Sequence, residues 1–160
     1  MESPDLMGLT DILTPQRVKI PLRGGSKADI IAELIDMLAA NGDVDDPGAV
    51  RQAVLQREQT ASTNIGHGLA LPHAKTDQTS RSLLAFGRTV EPVNFGNGTE
   101  CPVTLVVLLL APPSEAATQI QLLARLSRLM SVETVRRRLN QAASADEVID
   151  LIAHAERAAA

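Results

Sequence analysis

Apolar and polar positions near the start of the chain first alternate with a period of two and then follow the period of a helix. Residues 17–22, RVKIPL, alternate and predict a strand with one buried face. Ser26 is a typical N-cap for the helix that follows, and Gly42 lies just past its expected end. The apolar stripe of this helix consists of Ile30, Ile31, Leu34, Ile35 and Leu38.

A second helix is predicted immediately downstream. Asp46 is a typical cap and Pro47 a typical first helical residue, and the helix is expected to run to about Glu58. A polar loop then leads into the short apolar run LAL at 69–71, which predicts a short strand.

The middle of the chain favours β-structure. Residues 82–90 predict a strand, and 93–95 a short strand before a glycine-rich turn. The run VTLVVLLL at 103–110 is apolar throughout, which is typical of a central strand covered on both faces.

The C-terminal third has the period of amphipathic helices. Ser114 is expected to open the first of them, and Ser131 and Ser144 to cap two short ones, the last with Glu147 in the capping-box position. The predicted buried stripe of the first helix is Ile120, Leu123, Leu126, Leu129 and Met130. These elements predict an α/β protein, with 1–160 forming a single compact domain in which a mixed β-sheet is flanked by helices.

Composition narrows the function more than the fold. The 160 residues carry a net charge of −4, with no Trp or Tyr and two Phe, so the basic groove with stacking aromatics that is typical of single-stranded nucleic-acid binders is missing. Cys101 is the single cysteine, which excludes an internal disulfide and fits a reducing compartment. The longest apolar run, 105–111, is too short to cross a bilayer, and the first residues lack the basic segment of a signal peptide. We therefore expect a cytoplasmic protein with no nucleic-acid partner and no membrane insertion.

The stretch NIGHGLALPHAKTD, residues 64–77, holds two of the three histidines. The G-x-G at 66–68 is not a dinucleotide fingerprint, because a leucine stands at the third glycine position and a proline replaces the start of the required helix. A metal site could use His67, His73 and Asp77, but no second cluster supplies the remaining ligands. We therefore expect neither a metal nor a cofactor.

His73 is the candidate for chemistry, because of the proline before it. Pro72 has a fixed φ and favours extended geometry in the preceding residue, so His73 is expected to leave the short strand at a fixed angle. A neutral imidazole, with an ordinary pKa of about 6.5, is a competent nucleophile at pH 7. Arg57 and Lys75 supply cations nearby in sequence, and phosphoryl transfer needs mainly positioning and charge neutralisation.

Residues 57–75, REQTASTNIGHGLALPHAK, resemble the active-site signature of the mannitol/fructose/nitrogen-type enzyme IIA of the bacterial phosphotransferase system. That signature has Arg-Glu, a variable loop, a Ser/Thr pair, G-x-G, and then Pro-His followed by a small and a basic residue. The likeness continues through VNFGN, VTLVVLLLAPP and QLLARLSRLMSVETVRRRLNQAASADEVIDLI, and so covers nearly the whole chain. Because no IIB, IIC or carrier domain is fused to it, the sequence is most similar to the free-standing nitrogen-regulatory enzyme IIA.

The resemblance implies a role for each matching position. His73 matches the histidine that accepts a phosphoryl group from a histidine phosphocarrier protein (HPr-like). Arg57 matches the arginine beside that site, and Thr63 the hydroxyl residue of the loop. His67 and Lys75 are candidate lining residues. Plainer interpretations stay open on the sequence alone: Arg57 as a helix-end cation, Lys75 as a solvated charge and His67 as a turn residue.

The chain departs from the family at Gln119. The family usually has a second histidine near the start of the helix after the central strand, in a pattern like E-H-L-x-L-L-A, where this chain has TQIQLLA. An amide can donate a hydrogen bond to a phosphoryl oxygen or to the neighbouring imidazole, but it cannot change its charge near neutral pH. We expect Gln119 to support the phosphate site, and to suit a regulatory role better than onward transfer to a IIB partner.

The expected function is that of a cytoplasmic phosphoacceptor of the phosphotransferase system. Its phosphorylation state at His73 would regulate partner proteins such as transporters or sensor kinases. Two alternatives stay open: a non-catalytic regulatory binding module that has lost phosphotransfer, and a sugar-specific IIA component that passes phosphate to a separate IIB.

Overall fold

The computed structural model describes residues 8–60, 64–96 and 100–159. Within these ranges the chain forms a mixed sheet of six strands, in the order β1-β5-β6-β3-β2, with β4 also pairing with β6. The strands are β1 (Val18–Leu22), β2 (Asn64–Gly66), β3 (Leu69–Ala70), β4 (His73–Lys75), β5 (Leu83–Asn94) and β6 (Pro102–Ala111). The helices are α1 (Leu9–Ile12), α2 (Lys27–Ala40), α3 (Pro47–Thr60), α4 (Ala116–Met130), α5 (Glu133–Gln141) and α6 (Ala145–Ala159). The expected α/β class, a mixed sheet flanked by helices, is confirmed.

Strand β6 is central and buried on both faces, as its apolar run predicts. It pairs antiparallel with β5 on one side, and parallel with β3 and then β4 on the other. One face of the sheet packs against α2 and α3, and includes Val106, Leu108 and Leu110 of β6. The other face packs against α1, α4, α5 and α6, and includes Leu105, Val107 and Leu109.

The first two long helices begin where their caps predict. The Ser26 hydroxyl accepts a 3.1 Å hydrogen bond from the Asp29 amide at the start of α2, and the predicted stripe of that helix is buried. The Asp46 carboxylate likewise accepts a 3.1 Å bond from the Ala49 amide at the start of α3. Helix α3 extends to Thr60, two residues beyond the predicted end.

The β-strands differ from the prediction in two places. Residues 82–90 and 93–95 are not separate strands. They belong to the continuous strand β5, whose pairing with β6 shifts in register between Arg88 and Val93. His73 does not leave the end of a strand: it begins β4, opposite Leu109 of β6.

Two predicted helix caps are wrong. Ser114 lies in a 3-10 turn, Pro113–Glu115, and α4 begins after it. The Ser131 hydroxyl donates to the Arg128 carbonyl at the end of α4, so it does not cap α5. Ser144 does cap α6, accepting from the Glu147 amide at 3.1 Å, and α6 is a long helix instead of a short one.

The stripe of α4 is rotated relative to the prediction. Gln119 and Leu122 are buried, whereas Ile120 is 70% exposed and Leu123 only half-buried. The later positions, Leu126, Leu129 and Met130, are buried as predicted. No described helix is both long and apolar enough to span a bilayer.

Candidate functional site

A depression of about 490 Å³ lies where α3, β4 and the first turn of α4 meet. Its lining consists of Ala53, Gln56, Arg57, Thr60, His73, Ala74, Lys75 and Gln119. The four residues from α3 are spaced i, i+3, i+4 and i+7, so they form one face of that helix. The structure thus brings together four sequence-predicted site residues: His73, Arg57, Lys75 and Gln119.

The topology explains why these elements meet. Strands β4 and β6 are parallel, so their carboxyl ends lie at the same edge of the sheet. The chain passes from the end of β6 at Ala111 through one 3-10 turn into α4, which places the start of α4 beside β4. Carboxyl ends of parallel strands are where ligands commonly bind in α/β proteins.

The imidazole of His73 has a defined tautomer. Its Nδ1 lies 2.9 Å from the carbonyl oxygen of Leu71. A carbonyl oxygen can only accept, so Nδ1 carries the hydrogen and donates it. In the neutral ring the lone pair is then on Nε2, which makes no hydrogen bond to any described residue.

Burial is the main reason that the pKa of His73 lies below its ordinary value, because desolvation disfavours the imidazolium. The cations of Arg57 and Lys75 lower this pKa further, whereas the hydrogen bond to Leu71 and the carboxylate of Glu58 raise it. The net effect favours the neutral ring at pH 7, the form with a free lone pair.

Arg57 and Thr60 are held to each other at the end of α3. The Thr60 hydroxyl donates to the Arg57 carbonyl at 2.7 Å, and the guanidinium of Arg57 lies 3.4 Å from that hydroxyl. Lys75 is exposed at the mouth of the depression. Both cations therefore lie where an anion bound at His73 would be neutralised.

Gln119 is buried and links α4 to the histidine strand. Its amide nitrogen donates a 3.0 Å hydrogen bond to the carbonyl oxygen of Ala74, the residue after His73. Its side chain is 5% exposed, so this bond lies in a largely dry environment. Gln119 therefore holds β4 against the first turn of α4.

A buried ion pair lies behind Arg57. Glu58 continues the buried stripe of Val50 and Val54 on α3, and its carboxylate pairs with the Lys27 ammonium at 3.2 Å. Successive residues of a helix are about 100° apart around its axis, so Glu58 faces the core while Arg57 faces the depression.

The two remaining sequence-predicted site residues are His67 and Thr63. His67 is exposed and does not line the depression: His67 and Gly68, with φ of 59° and 77°, are the central residues of the turn that joins β2 to β3. Positive φ at both central residues is what a tight type I′ hairpin turn requires. Thr63 lies outside the described residues.

Gln56 and Thr60 also line the depression, although the sequence pattern did not single them out. For Thr60 the signal was present in the helical spacing, because position i+3 from Arg57 shares its helix face. Within the described ranges, no group of three or more His, Cys, Asp or Glu side chains is close enough to hold a metal. The depression thus places an imidazole that is neutral at pH 7 beside two cationic side chains.

Comparison with known proteins identifies the family of the chain. The family model described as "Phosphoenolpyruvate-dependent sugar phosphotransferase system, EIIA 2" matches residues 11–155. The "PTS system fructose-specific EIIA component" of Haloferax volcanii is 35% identical over 150 residues, covering 92% of this chain and 97% of the relative. A "Nitrogen regulatory protein" of Bradyrhizobium diazoefficiens is 31% identical over 147 residues, covering 92% and 95%. A third relative, the "PTS system fructose-specific EIIABC component" of Bacillus subtilis, is 35% identical over 146 residues. The match covers 91% of this chain but only 23% of that longer relative.

Solved structures show the same fold. The nitrogen regulatory protein IIA-Ntr from Neisseria meningitidis superposes with a TM-score of 0.83 at 28% identity, covering 90% of this chain and 98% of that one. The enzyme IIAMTL of Escherichia coli, solved in complex with phosphorylated enzyme IIBMTL, gives 0.76 at 26% identity, covering 88% and 96%. The resemblance seen in the sequence is confirmed, and the chain belongs to the EIIA type 2 family of the phosphoenolpyruvate-dependent sugar phosphotransferase system.

Proposed function

We propose that Nε2 of His73 accepts a phosphoryl group from a phosphohistidine carrier protein of the HPr type in the cytoplasm, with residues 1–160 acting as one enzyme IIA domain. The observation that carries this proposal is the 2.9 Å hydrogen bond from Nδ1 to the Leu71 carbonyl. It fixes the ring as the Nδ1–H tautomer, so that the nucleophilic lone pair is on the other nitrogen.

The transfer needs no proton movement at the attacking atom. The Nε2 lone pair forms a bond to phosphorus while the bond from phosphorus to the carrier's imidazole nitrogen breaks, and that nitrogen keeps the electron pair. The Nδ1 hydrogen stays on the ring and continues to bond to Leu71. Because the carbonyl accepts from Nδ1 throughout, it stabilises the positive charge that develops on the ring.

Arg57 and Lys75 supply the charge neutralisation. Burial is the main cause of the lowered pKa of His73, and both cations lower it further, so they lie close enough to act on a group bound there. A phosphoryl group in transfer carries negative charge on its three outer oxygens, and positioned cations are the main protein contribution to such reactions. Gln119 supports the site through β4, because its amide is bonded to Ala74.

The consequence of phosphorylation is a change in surface charge. A phosphoryl group adds about two negative charges and three strong acceptors, enough to make or break an interface at that face. We infer that the two states bind regulatory targets, such as a transporter or a sensor kinase, with different affinities. The likeness to proteins named nitrogen regulatory protein supports this output.

A second candidate is a sugar-specific IIA component that passes phosphate to a separate IIB. Relatives named fructose-specific, and a neighbour solved with phosphorylated IIBMTL, favour it. The two candidates share the acceptor step at His73 and differ in where the phosphoryl group goes next.

The acceptor step is tested by intact-protein mass spectrometry after incubation with phosphoenolpyruvate, the general phosphotransferase enzyme and HPr, at mildly alkaline pH. Wild type and His67→Ala should each gain one phosphoryl group, and His73→Ala none. His67→Ala is the matched control because it removes an exposed imidazole six residues away. Failure of wild type to react, with HPr shown active on another acceptor, would leave the non-catalytic binding module as the function.

The next destination is tested with the phosphorylated protein and a purified fructose-type IIB. Regulatory function predicts that wild type retains its phosphoryl group, and that Gln119→His, which restores an imidazole at this position, transfers faster. Rapid transfer by wild type would instead establish the sugar-specific role.

A further inference from the structure

A second concavity, the α4–α6 groove, lies at the other end of α4. It has a volume of about 350 Å³ and lies between the C-terminal end of α4, helix α5 and helix α6. Its lining consists of Arg128, Leu129, Val132, Thr134, Val135, Arg138, Leu151, His154, Ala155, Ala158 and Ala159. Gln119 and Arg128 are nine residues apart on α4, so roughly 14 Å separates the groove from the His73 depression along the helix axis.

The floor of the α4–α6 groove is apolar. Leu129, Val135 and Leu151 belong to the core cluster on this face of the sheet or pack against it. Val132 is 47% exposed there, which is unusual for a large apolar side chain in this structure. An apolar concavity of this size is at the lower end of the volumes that bind small molecules, about 300–1,000 Å³.

The rim of the groove is basic, with one residue from each of the three helices: Arg128 from α4, Arg138 from α5 and His154 from α6. None of these side chains makes a hydrogen bond or ion pair within the described part of the chain, and no acidic side chain is among the groove's described lining residues. The whole chain has a net charge of −4, so this local excess of cations opposes the overall charge. Guanidinium groups bind carboxylates through paired hydrogen bonds.

We propose that the α4–α6 groove binds a small amphipathic carboxylate of the straight-chain fatty acid class. The alkyl chain lies along Leu129, Val132 and Val135, and the carboxylate pairs with Arg128 and Arg138 at the rim. The groove volume favours such a ligand over a folded partner, because a stable protein interface needs a contact surface much larger than this concavity offers. The site is separate from the phosphoacceptor, so binding does not depend on the state of His73.

The location of binding is tested by titrating ¹⁵N-labelled protein with hexanoate, octanoate and decanoate below their micelle concentrations. Amide shifts should cluster at 128–138 and 151–159, and amides of β4 should not move. Each added methylene should tighten Kd by up to about fourfold, the equivalent of burying one CH₂, until the groove is filled. Shifts spread evenly over the surface, or a Kd that does not depend on chain length, would overturn the proposal.

The basis of recognition is tested with a cation of the same length and with variants. Decyltrimethylammonium should bind at least tenfold more weakly than decanoate to wild type, and Arg128→Gln/Arg138→Gln should lose that preference. Arg137→Gln is the matched control, since Arg137 lies on α5 outside the groove and pairs with Glu133. Equal binding of the two probes by wild type would contradict a carboxylate site.

A filled groove gives an independent variant that keeps the arginines. Ala158→Phe places a ring in the groove from an exposed helical position and should weaken decanoate binding more than tenfold. Ala124→Phe, an exposed alanine of α4 outside the groove, should not. If wild type sediments as a dimer that Ala158→Phe dissociates, with no decanoate shifts at the groove, a second copy is the occupant and the proposal fails.

Discussion

The buried pair of Lys27 and Glu58 should be far more costly to break than an exposed ion pair of the same fold. The Glu58 side chain is 2% exposed and that of Lys27 17%, and the two charged groups are 3.2 Å apart. The Lys27 ammonium also lies 3.3 Å from the Phe95 carbonyl and 6.0 Å from the centre of its ring. Replacing either partner leaves a charge in a place that water reaches poorly.

The expected magnitude follows from that burial. Glu58→Leu or Lys27→Met alone should lower the free energy of unfolding by about 3–5 kcal/mol, because the remaining charge loses the opposite charge 3.2 Å away in a poorly solvated place. A domain of this kind has a total of about 5–15 kcal/mol, so either single variant should be marginally stable. The double variant removes both charges and should lose no more stability than either single variant, which corresponds to a coupling energy of about 3 kcal/mol or more.

The assay is urea unfolding followed by circular dichroism, since the chain has no Trp or Tyr to report by fluorescence. The matched control is the Arg51–Asp36 pair, which joins the same two helices at 3.0 Å but with side chains 38% and 63% exposed. Its double-mutant cycle should give at most about 1 kcal/mol. A coupling energy for the buried pair no larger than that of the exposed pair would refute the reasoning.

Three further predictions concern packing, capping and pH. Gly87→Ala should lower the free energy of unfolding by about 1–3 kcal/mol in urea, because its Cβ would lie 2.7 Å from Cγ of the fully buried Leu22. The double variant with Leu22→Ala should lose less than the sum of the losses of the two single variants, because the smaller side chain removes the clash. Ser144→Ala should cost about 1 kcal/mol through loss of the α6 cap, whereas Ser114→Ala, which is not a cap, should cost far less; equal losses would contradict the assignment. The pKa of His73 is lower in the folded state than in the unfolded chain, so the unfolded chain binds a proton first as the pH falls. The free energy of unfolding should therefore decrease below about pH 6.5, and His73→Ala should remove this part of the decrease. The same pH profile in wild type and His73→Ala would show that the ring is not desolvated.

The parts of the fold that the sequence predicts are those in which one local pattern is sufficient. Strand β6 was predictable because its apolar run requires cover on both faces, and α2 because a serine cap, an apolar stripe and a glycine agree. Strands β2 and β4 were not, since three residues carry too little pattern and their extended form depends on pairing with β3 and β6. Tertiary pairing, which no short window contains, defines them.

Helix α4 shows why a correct helix can be assigned the wrong face. Leu122 and Leu123 are both apolar, so hydrophobicity alone does not distinguish a stripe through Leu122 from one through Leu123. The structure buries Gln119 with Leu122 because the amide donates to the Ala74 carbonyl, and this exposes Ile120. The hydrogen bond to another strand compensates for burying a polar side chain, and that compensation is invisible to a hydrophobic pattern.

The candidate site shows the same division between local and distant information. His73 could be found from its neighbour Pro72, because the fixed geometry of the Leu-Pro-His segment is local, and the hydrogen bond from Nδ1 to Leu71 spans that proline. The orientation of Arg57 could not be found in this way. Arg57 is next to Glu58 on α3, and the buried Glu58 carboxylate pairs with Lys27 of another helix, a contact that no local pattern contains. The geometry of His73 is thus set by three consecutive residues, whereas Arg57 lies on a helix whose buried face carries an ion pair between residues 31 positions apart in the chain.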